Sequence, residues 1–422
     1  MDQLKIDKFN QNFKWTPRLP LLVLCESIIG IFCLSAGADV PFRGFTDFSY
    51  IWDNSTSTNY FQIHDLDVFT AGSIDKHVSY LAEINFQPGF DGVSIDLERT
   101  YAQYTVSSWF KIAMGRVHTA LGFWNDTYHH GSYLATAATR PMYQRFEDAG
   151  GLLPVHNTGI EIRGNGAVGS GNLGYIFNIG NGRGPVKDPT SFFFSYSKSK
   201  SVSAVAYYEF ENGLRVGGNF WASDLPGGAT LSGDSTPSTN NLNSSSGLAT
   251  NVYAPGSSPY IAGPKGSEVI LGAHIIYNSA DIEWLTEYEH MTHSYVGGSD
   301  TLTGFANSNP DGSLSTSIDL VYSQLGYHIG LFTPYIRYEM DATSTADGYL
   351  NASPGYKMQG LWATTRYYVA GARYELSAAS ALKFEATYIS SGAPIFLANM
   401  SNNSPPTSTT DWITNLNWSL AW

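Results

Sequence analysis

Beyond its first forty residues the chain holds no uninterrupted apolar run of the ~18 residues that a membrane-spanning helix needs. Its composition is nonetheless that of a membrane protein. Only 14% of its residues are charged, against about 25% in soluble domains, and 43% are hydrophobic. Gly, Ser, Thr and Asn dilute those apolar residues, and Phe, Trp and Tyr make up 14% of the chain. Helices and closed barrels are the two structures that cross a bilayer with every backbone group hydrogen-bonded. A membrane-like composition without spanning helices therefore predicts an all-β, antiparallel transmembrane β-barrel.

The local pattern agrees. Segments of about ten residues alternate apolar with polar or small residues, as strands do when one face meets lipid and the other a lumen. In residues 40–52, Val40, Phe42, Gly44, Phe48, Tyr50 and Trp52 share one face, and Arg43, Asp47 and Ser49 the other. Leu382, Phe384, Ala386 and Tyr388 oppose Lys383, Glu385 and Thr387; Ile282, Trp284 and Tyr288 oppose Glu283, Glu287 and Glu289. Aromatic residues near strand ends (Tyr50, Trp52, Trp109, Phe110, Trp221, Trp362) suit interfacial girdles. Short turns are expected at residues 72–75, 167–171, 211–213, 278–281, 327–330 and 377–380. Long polar connections fall between them, at residues 225–266, 294–314, 342–358 and 392–410. Counting from both ends under this alternation of short and long connections gives about 16 strands, an even number as bacterial barrels have. The count requires the apolar Phe192, Phe193 and Phe194 to lie in an outer loop.

Both termini point to export and membrane insertion. Lys5, Lys8, Lys14 and Arg18 precede an apolar stretch at residues 19–34, followed by Ala36-Gly37-Ala38. This is the grammar of a secretory signal peptide over residues 1–38, cleaved after Ala38. The barrel then occupies residues 39–422. Both cysteines, Cys25 and Cys33, lie in the leader, so the mature chain is expected to lack disulfides and thiolate metal sites. It would carry 19 basic and 33 acidic residues, a balance that argues against nucleic acid as a partner. At the other end Leu416, Trp418, Leu420 and Trp422 occupy alternate positions and finish on an aromatic residue. They look like the assembly signal read by the barrel-assembly machinery.

Residues 118–156, between the expected fifth and sixth strands, are too long for a plain connection and hence functional. Gly115-Arg116-Val117-His118 leads into the segment, with Leu121-Gly122-Phe123-Trp124, Arg140-Pro141, Phe146-Glu147-Asp148 and Gly150-Gly151-Leu152-Leu153-Pro154-Val155-His156 along it. In these motifs the chain resembles the outer-membrane porin superfamily of Gram-negative bacteria, closest to its phosphate-selective porin O/P-like group. The resemblance implies a homotrimer of 16-stranded barrels in the outer membrane, each with its long third outer loop folded into the lumen. It also implies passive diffusion of small hydrophilic solutes or ions, with outer-membrane lipids as the surrounding partner. Phosphate-selective members line their pores with Arg and Lys. Eight Lys and eleven Arg follow this leader among abundant carboxylates, so that specificity is not carried over.

A constriction needs fixed charge facing narrow water, and opposed charges there create a transverse field. Candidate lining groups are Arg43, Lys111, Arg116, His118, Arg140, Arg145, Arg163 and Arg337 with Asp47, Glu147, Asp148, Glu161 and Glu339. By parity Arg116 sits beside Ile112 and Met114, so only a bulge turns it inward. Their balance sets the ion preference, and residue spacing does not fix its sign. His118, His129, His130 and His156 have no compact ligand spacing, and His290 and His293 point to opposite faces, so neither a metal nor another cofactor is expected. No catalytic motif stands out, and the chain is read as a non-enzyme. Two alternatives are an outer-membrane barrel lipase or protease, and a secreted soluble all-β carbohydrate-binding protein.

Overall fold

The computed structural model describes residues 41–54, 57–89, 92–128, 132–146, 151–184, 200–226, 264–298, 308–309, 311–343, 347–350, 364–392 and 409–422. The expected leader, Phe192 to Phe194, Trp362, His129, His130, Glu147 and Asp148 lie outside them.

Sixteen strands run in chain order: β1 (Phe42–Asp53), β2 (Thr58–Ser73), β3 (Val78–Gly89), β4 (Gly92–Ser107), β5 (Phe110–His118), β6 (His156–Val168), β7 (Gly171–Gly180) and β8 (Ser201–Phe210). They continue as β9 (Leu214–Pro226), β10 (Lys265–Asn278), β11 (Ile282–Tyr295), β12 (Ser315–Tyr327), β13 (Phe332–Thr343), β14 (Thr365–Ser377), β15 (Ser380–Ser391) and β16 (Thr410–Ala421). Neighbours in sequence are neighbours in space, and β1 pairs antiparallel with β16 from Phe45↔Ala421 to Asp53↔Ile413, closing the barrel. The expected strand count and all six expected short turns are borne out. A seventh short turn joins β4 to β5 at Ser107–Phe110, and two connections at the opposite end, after β1 and β3, are also brief.

Local chemistry explains the turns. At the β2–β3 turn the Asp75 carboxylate accepts the N–H groups of His77 (2.7 Å) and Val78 (2.8 Å). Those bonds favour the ionised form and hold its pKa below the ordinary carboxylate value. Gly213, between β8 and β9, has φ +86°, and a Cβ there would stand 2.1 Å from the Asn278 carbonyl oxygen. A side chain fits neither the torsion nor the space.

Alternation sorts the side chains as read from the sequence. On β11, Glu283, Glu287, Glu289 and His293 are buried inside, while Trp284 and Tyr288 are exposed outside. On β16, Asn415, Asn417 and Ser419 are inside, while Leu416 (51% exposed) and Trp418 (46%) stand on the outer face. An aromatic ladder crosses that face near the long-loop end. It runs from Tyr338 to Tyr368 (5.4 Å between rings), Tyr388 (6.1 Å) and Trp412 (4.8 Å). Tyr50, Trp52, Trp109 and Phe110 are exposed as a girdle requires. Trp221 is a correction: it is fully buried inside, and its indole N–H donates to Glu268 (2.7 Å). The strand places it on the lumen side, where an apolar core accepts its ring.

That core lies within the barrel. Leu121, Phe123, Trp124, Tyr143 and Leu153, from the segment between β5 and β6, pack on Trp221, Ile270, Leu285, Met291, Leu320 and Tyr322 of β9–β12. Inward positions are apolar here because the inserted segment covers them. Each such burial is worth about 1.5–3 kcal/mol.

The seam depends on Gly44. A Cβ there would meet the Trp422 ring at 2.2 Å and the Asp67 carbonyl oxygen of β2 at 2.3 Å, and Gly44 and Trp422 exchange backbone hydrogen bonds of 3.1 and 3.0 Å. Gly44→Val is expected to block closure, and Trp422→Ser to weaken it. In the heat-modifiable gel shift of a folded barrel, Gly44→Val should lose most of the folded band and Trp422→Ser part of it. Wild-type levels in both would contradict this seam.

Candidate functional site

Among the described residues of 119–155, Leu121, Phe123, Trp124, Tyr143 and Leu153 leave the wall and pack against inward side chains of β9–β12. The base of the excursion is pinched shut: the Thr119 N–H donates to the Val155 carbonyl (3.0 Å), and Asn125 Nδ2 donates to both Thr119 (3.0 Å) and Val155 (2.9 Å). A single helical turn, α1 (Trp124–Thr127), and two short 3-10 turns (Ser132–Leu134, Met142–Gln144) follow. An irregular segment leaves many backbone groups without regular partners, and burial makes each costly.

The opposite wall supplies those partners. Glu287 accepts the N–H groups of Phe123 (2.6 Å) and Trp124 (2.8 Å) together with the Tyr322 hydroxyl (2.7 Å). Glu283 accepts Thr136 Oγ1 (2.8 Å), Glu339 accepts the Met142 N–H (2.6 Å), and Glu385 accepts the N–H groups of Ala138 (3.2 Å) and Thr139 (3.3 Å). Cations take the carbonyls. Lys383 donates to Ala135 (2.8 Å) and Ala137 (3.0 Å), Arg373 to Ala135 (2.7 Å), and Arg337 to Thr139 (2.9 Å). These are charge-assisted bonds, about twice as strong as neutral ones. Burial first, and Glu287 second, push the Tyr143 hydroxyl of the segment well above its ordinary pKa. It stays protonated and donates to the Glu287 carbonyl (3.3 Å).

With one side of the segment sealed by the apolar core, open space remains on its other side. A cavity of about 500 Å³ lies between the segment and the inner faces of β1, β2 and β13–β16. Asp47 and Asp53 of β1 and Asp65 and Asp67 of β2 line it, facing Arg140 and Arg145 of the segment. Tyr60 of β2 lines it too. Asp47 is oriented by Asn417 Nδ2 (2.6 Å) and lies 3.9 Å from His64. Arg140 is seated 4.4 Å above the Phe146 ring, which in turn stacks on His156 (6.1 Å).

Of the residues singled out from the sequence, Asp47, Arg140, Arg145, Arg337 and Glu339 line this cavity. Arg43, Lys111, Arg116, His118, Glu161 and Arg163 do not. Arg163 bonds to Glu161 (2.5 Å) and to Asp126 of the segment (3.2 Å). Arg116 is buried at the outer end of β5, where its Nε donates to the Glu98 carbonyl (2.9 Å) and its guanidinium lies 3.6 Å from Asp96. The preceding Gly115 has φ +144°. His118 is buried beside His156 (5.9 Å between rings). His290 and His293 do face opposite ways: His290 meets Asp319 outside (2.9 Å), and His293 bridges Glu268 and Asp347 inside (2.8 Å each). The sequence reading missed Asp53, Asp65 and Asp67, and the loop-holding roles of Glu283, Glu287, Arg373, Lys383 and Glu385. Their signal was charge recurring at alternate, inward positions.

No family model and no curated protein matches this sequence. Among solved structures it resembles the anion-selective porin from Comamonas acidovorans, with a TM-score of 0.54 at 10% identity over 91% of this chain and 99% of that one. The fold is that of a porin. The barrel is also similar to the outer membrane channel DcaP of Acinetobacter baumannii (TM-score 0.52, 11% identity, 93% and 99% covered). A third match is the trimer form of OmpT, an outer membrane protein of Vibrio cholerae (0.51, 10%, 91% and 99%). Identities this low carry the architecture and leave the solute open.

If the wall carboxylates hold the inserted segment, Glu287→Ala should loosen it, because three donors lose their acceptor. The cost is about 3 kcal/mol. A lower urea midpoint for the folded barrel and faster proteolysis within residues 119–155 are the expected outcomes. Unchanged values in both measurements would place the anchoring elsewhere.

Proposed function

We propose that the chain is an outer-membrane porin, exported by a leader cleaved after Ala38 and working as a passive, water-filled channel for small hydrophilic solutes and ions. The charge-lined cavity of about 500 Å³ beside the inserted segment is the observation that supports this reading. A structural plug would be sealed on every side, whereas this segment is sealed on one side and faces charge on the other. The outer face adds support, since its exposed Phe, Tyr, Trp, Ile and Leu residues run from β1 round to β16. So broad an apolar surface is unsuited to a soluble monomer.

In this reading the barrel sits among outer-membrane lipids as a homotrimer, in keeping with the trimer form of one neighbour. The terminal Leu416, Trp418, Leu420 and Trp422 address the assembly machinery. Solutes move down their gradients, so neither a cofactor nor a catalytic step enters the mechanism. Phosphate selectivity is not part of the reading, because carboxylates outnumber guanidiniums around the cavity.

Conductance of the purified protein in a planar bilayer tests the reading. Ohmic steps in groups of three are expected, and a folded barrel that passes no current would overturn it. Deleting residues 126–138 should raise the unit conductance at least about twofold. An unchanged step would mean that the segment does not limit the flow.

A further inference from the structure

The cavity beside the inserted segment is walled by unlike charges in unequal number. Among the described residues, six carboxylates line it against three guanidiniums. Part of that set holds the segment in place: Arg337 bonds Glu339 (2.7 Å) and lies 3.9 Å from Glu385, and both glutamates accept backbone N–H groups of the segment. The rest of the set is two-sided. Asp47, Asp53, Asp65 and Asp67 stand on the β1–β2 wall, and Arg140 and Arg145 on the edge of the segment. Asp47, Asp53 and Asp67 are each less than a tenth exposed, so packing within the wall confines their side chains.

Resting on the porin reading above, we propose that this channel passes cations in preference to anions, with the β1–β2 aspartates as the selectivity determinant. A lumen bounded by low-dielectric walls focuses the field of its fixed charges. The Debye length is about 10 Å at 0.1 M salt, comparable with the width of so small a cavity, so screening leaves much of that field in place. The excess of carboxylates raises the local cation concentration and opposes anions. Arg140 and Arg145 moderate this preference and turn the field across the channel, which orients solutes carrying separated charges. The preference is opposite to the one in the name of the Comamonas neighbour. It follows from side chains that a likeness in architecture does not transfer.

The test is the reversal potential of the full-length, exported protein in a planar bilayer under a KCl gradient. A potassium-to-chloride permeability ratio above about 3 is expected. Asp53→Asn with Asp67→Asn should bring it close to unity, and Arg140→Gln with Arg145→Gln should raise it. A wild-type potential favouring chloride would overturn the proposal and leave the porin reading intact, as would an unchanged ratio in a conducting Asp53→Asn, Asp67→Asn variant. Absence of current would remove the porin reading and this proposal together. The wild type supplies a second measurement that needs no variant. Its preference should grow as both salt concentrations are lowered and screening weakens, and a ratio indifferent to ionic strength would overturn the proposal.

Discussion

A sheet edge presents unpaired N–H and C=O groups that hydrocarbon cannot satisfy, and the pairing of β1 with β16 is what removes that edge. Nine residue pairs, from Phe45↔Ala421 to Asp53↔Ile413, form the seam. Gly44 lets the terminal Trp422 approach closely enough to complete it. Closure gives every strand an inside and an outside. Only then does the period-2 pattern acquire meaning, with Phe48 and Trp418 meeting across the outer face and Asp47 bonding Asn417 within.

The inserted segment faces the same difficulty in a second setting. Its irregular backbone is buried in the lumen, and neighbouring strands cannot pair with it. Side chains of the wall stand in for the missing strand. Carboxylates of β11, β13 and β15 accept its N–H groups, and cations of β13, β14 and β15 bind its carbonyls. The apolar residues of β9–β12 then hold its other face. Two kinds of interaction thereby move the open space off-centre. Open space is left on the side where β1 and β2 present aspartates, and of the residues that anchor the segment Arg337, Glu339 and Glu385 also line that space.

Much of the architecture was legible in the sequence because its rule is local. Alternation, turn residues and loop lengths each report on the nearest few positions, and they located the strands, the short turns and the long third connection. The site was legible only in part. Asp47, Arg140 and Arg145 were found, since a charge on a strand face or in a long loop is conspicuous. Asp53 and Asp67 share the inward parity of their strands but stand among apolar and small neighbours that drew no attention. On β2, His64 and the adjacent Asp65 both line the cavity, a local irregularity that parity does not anticipate. Arg116 depended on Gly115, whose positive φ is a backbone property that no side-chain pattern encodes. Trp221 was misplaced because an aromatic residue near a strand end suits a girdle and a core equally well. The clamp on the segment joins residues more than 140 positions apart, such as Phe123 and Glu287. Sequence spacing carries no trace of such a contact.

The off-centre position of the open space is tested most directly by thiol accessibility along the lumen. Single cysteines would replace Gln62, on the cavity side, and Leu320, beneath the segment, in a chain with Cys25→Ser and Cys33→Ser. A charged, membrane-impermeant thiol reagent added during current recording should alter the conductance of the Gln62→Cys channel within seconds and leave the Leu320→Cys channel unchanged. Rapid reaction at position 320 with none at position 62 would put the water on the other side of the segment and contradict the arrangement described.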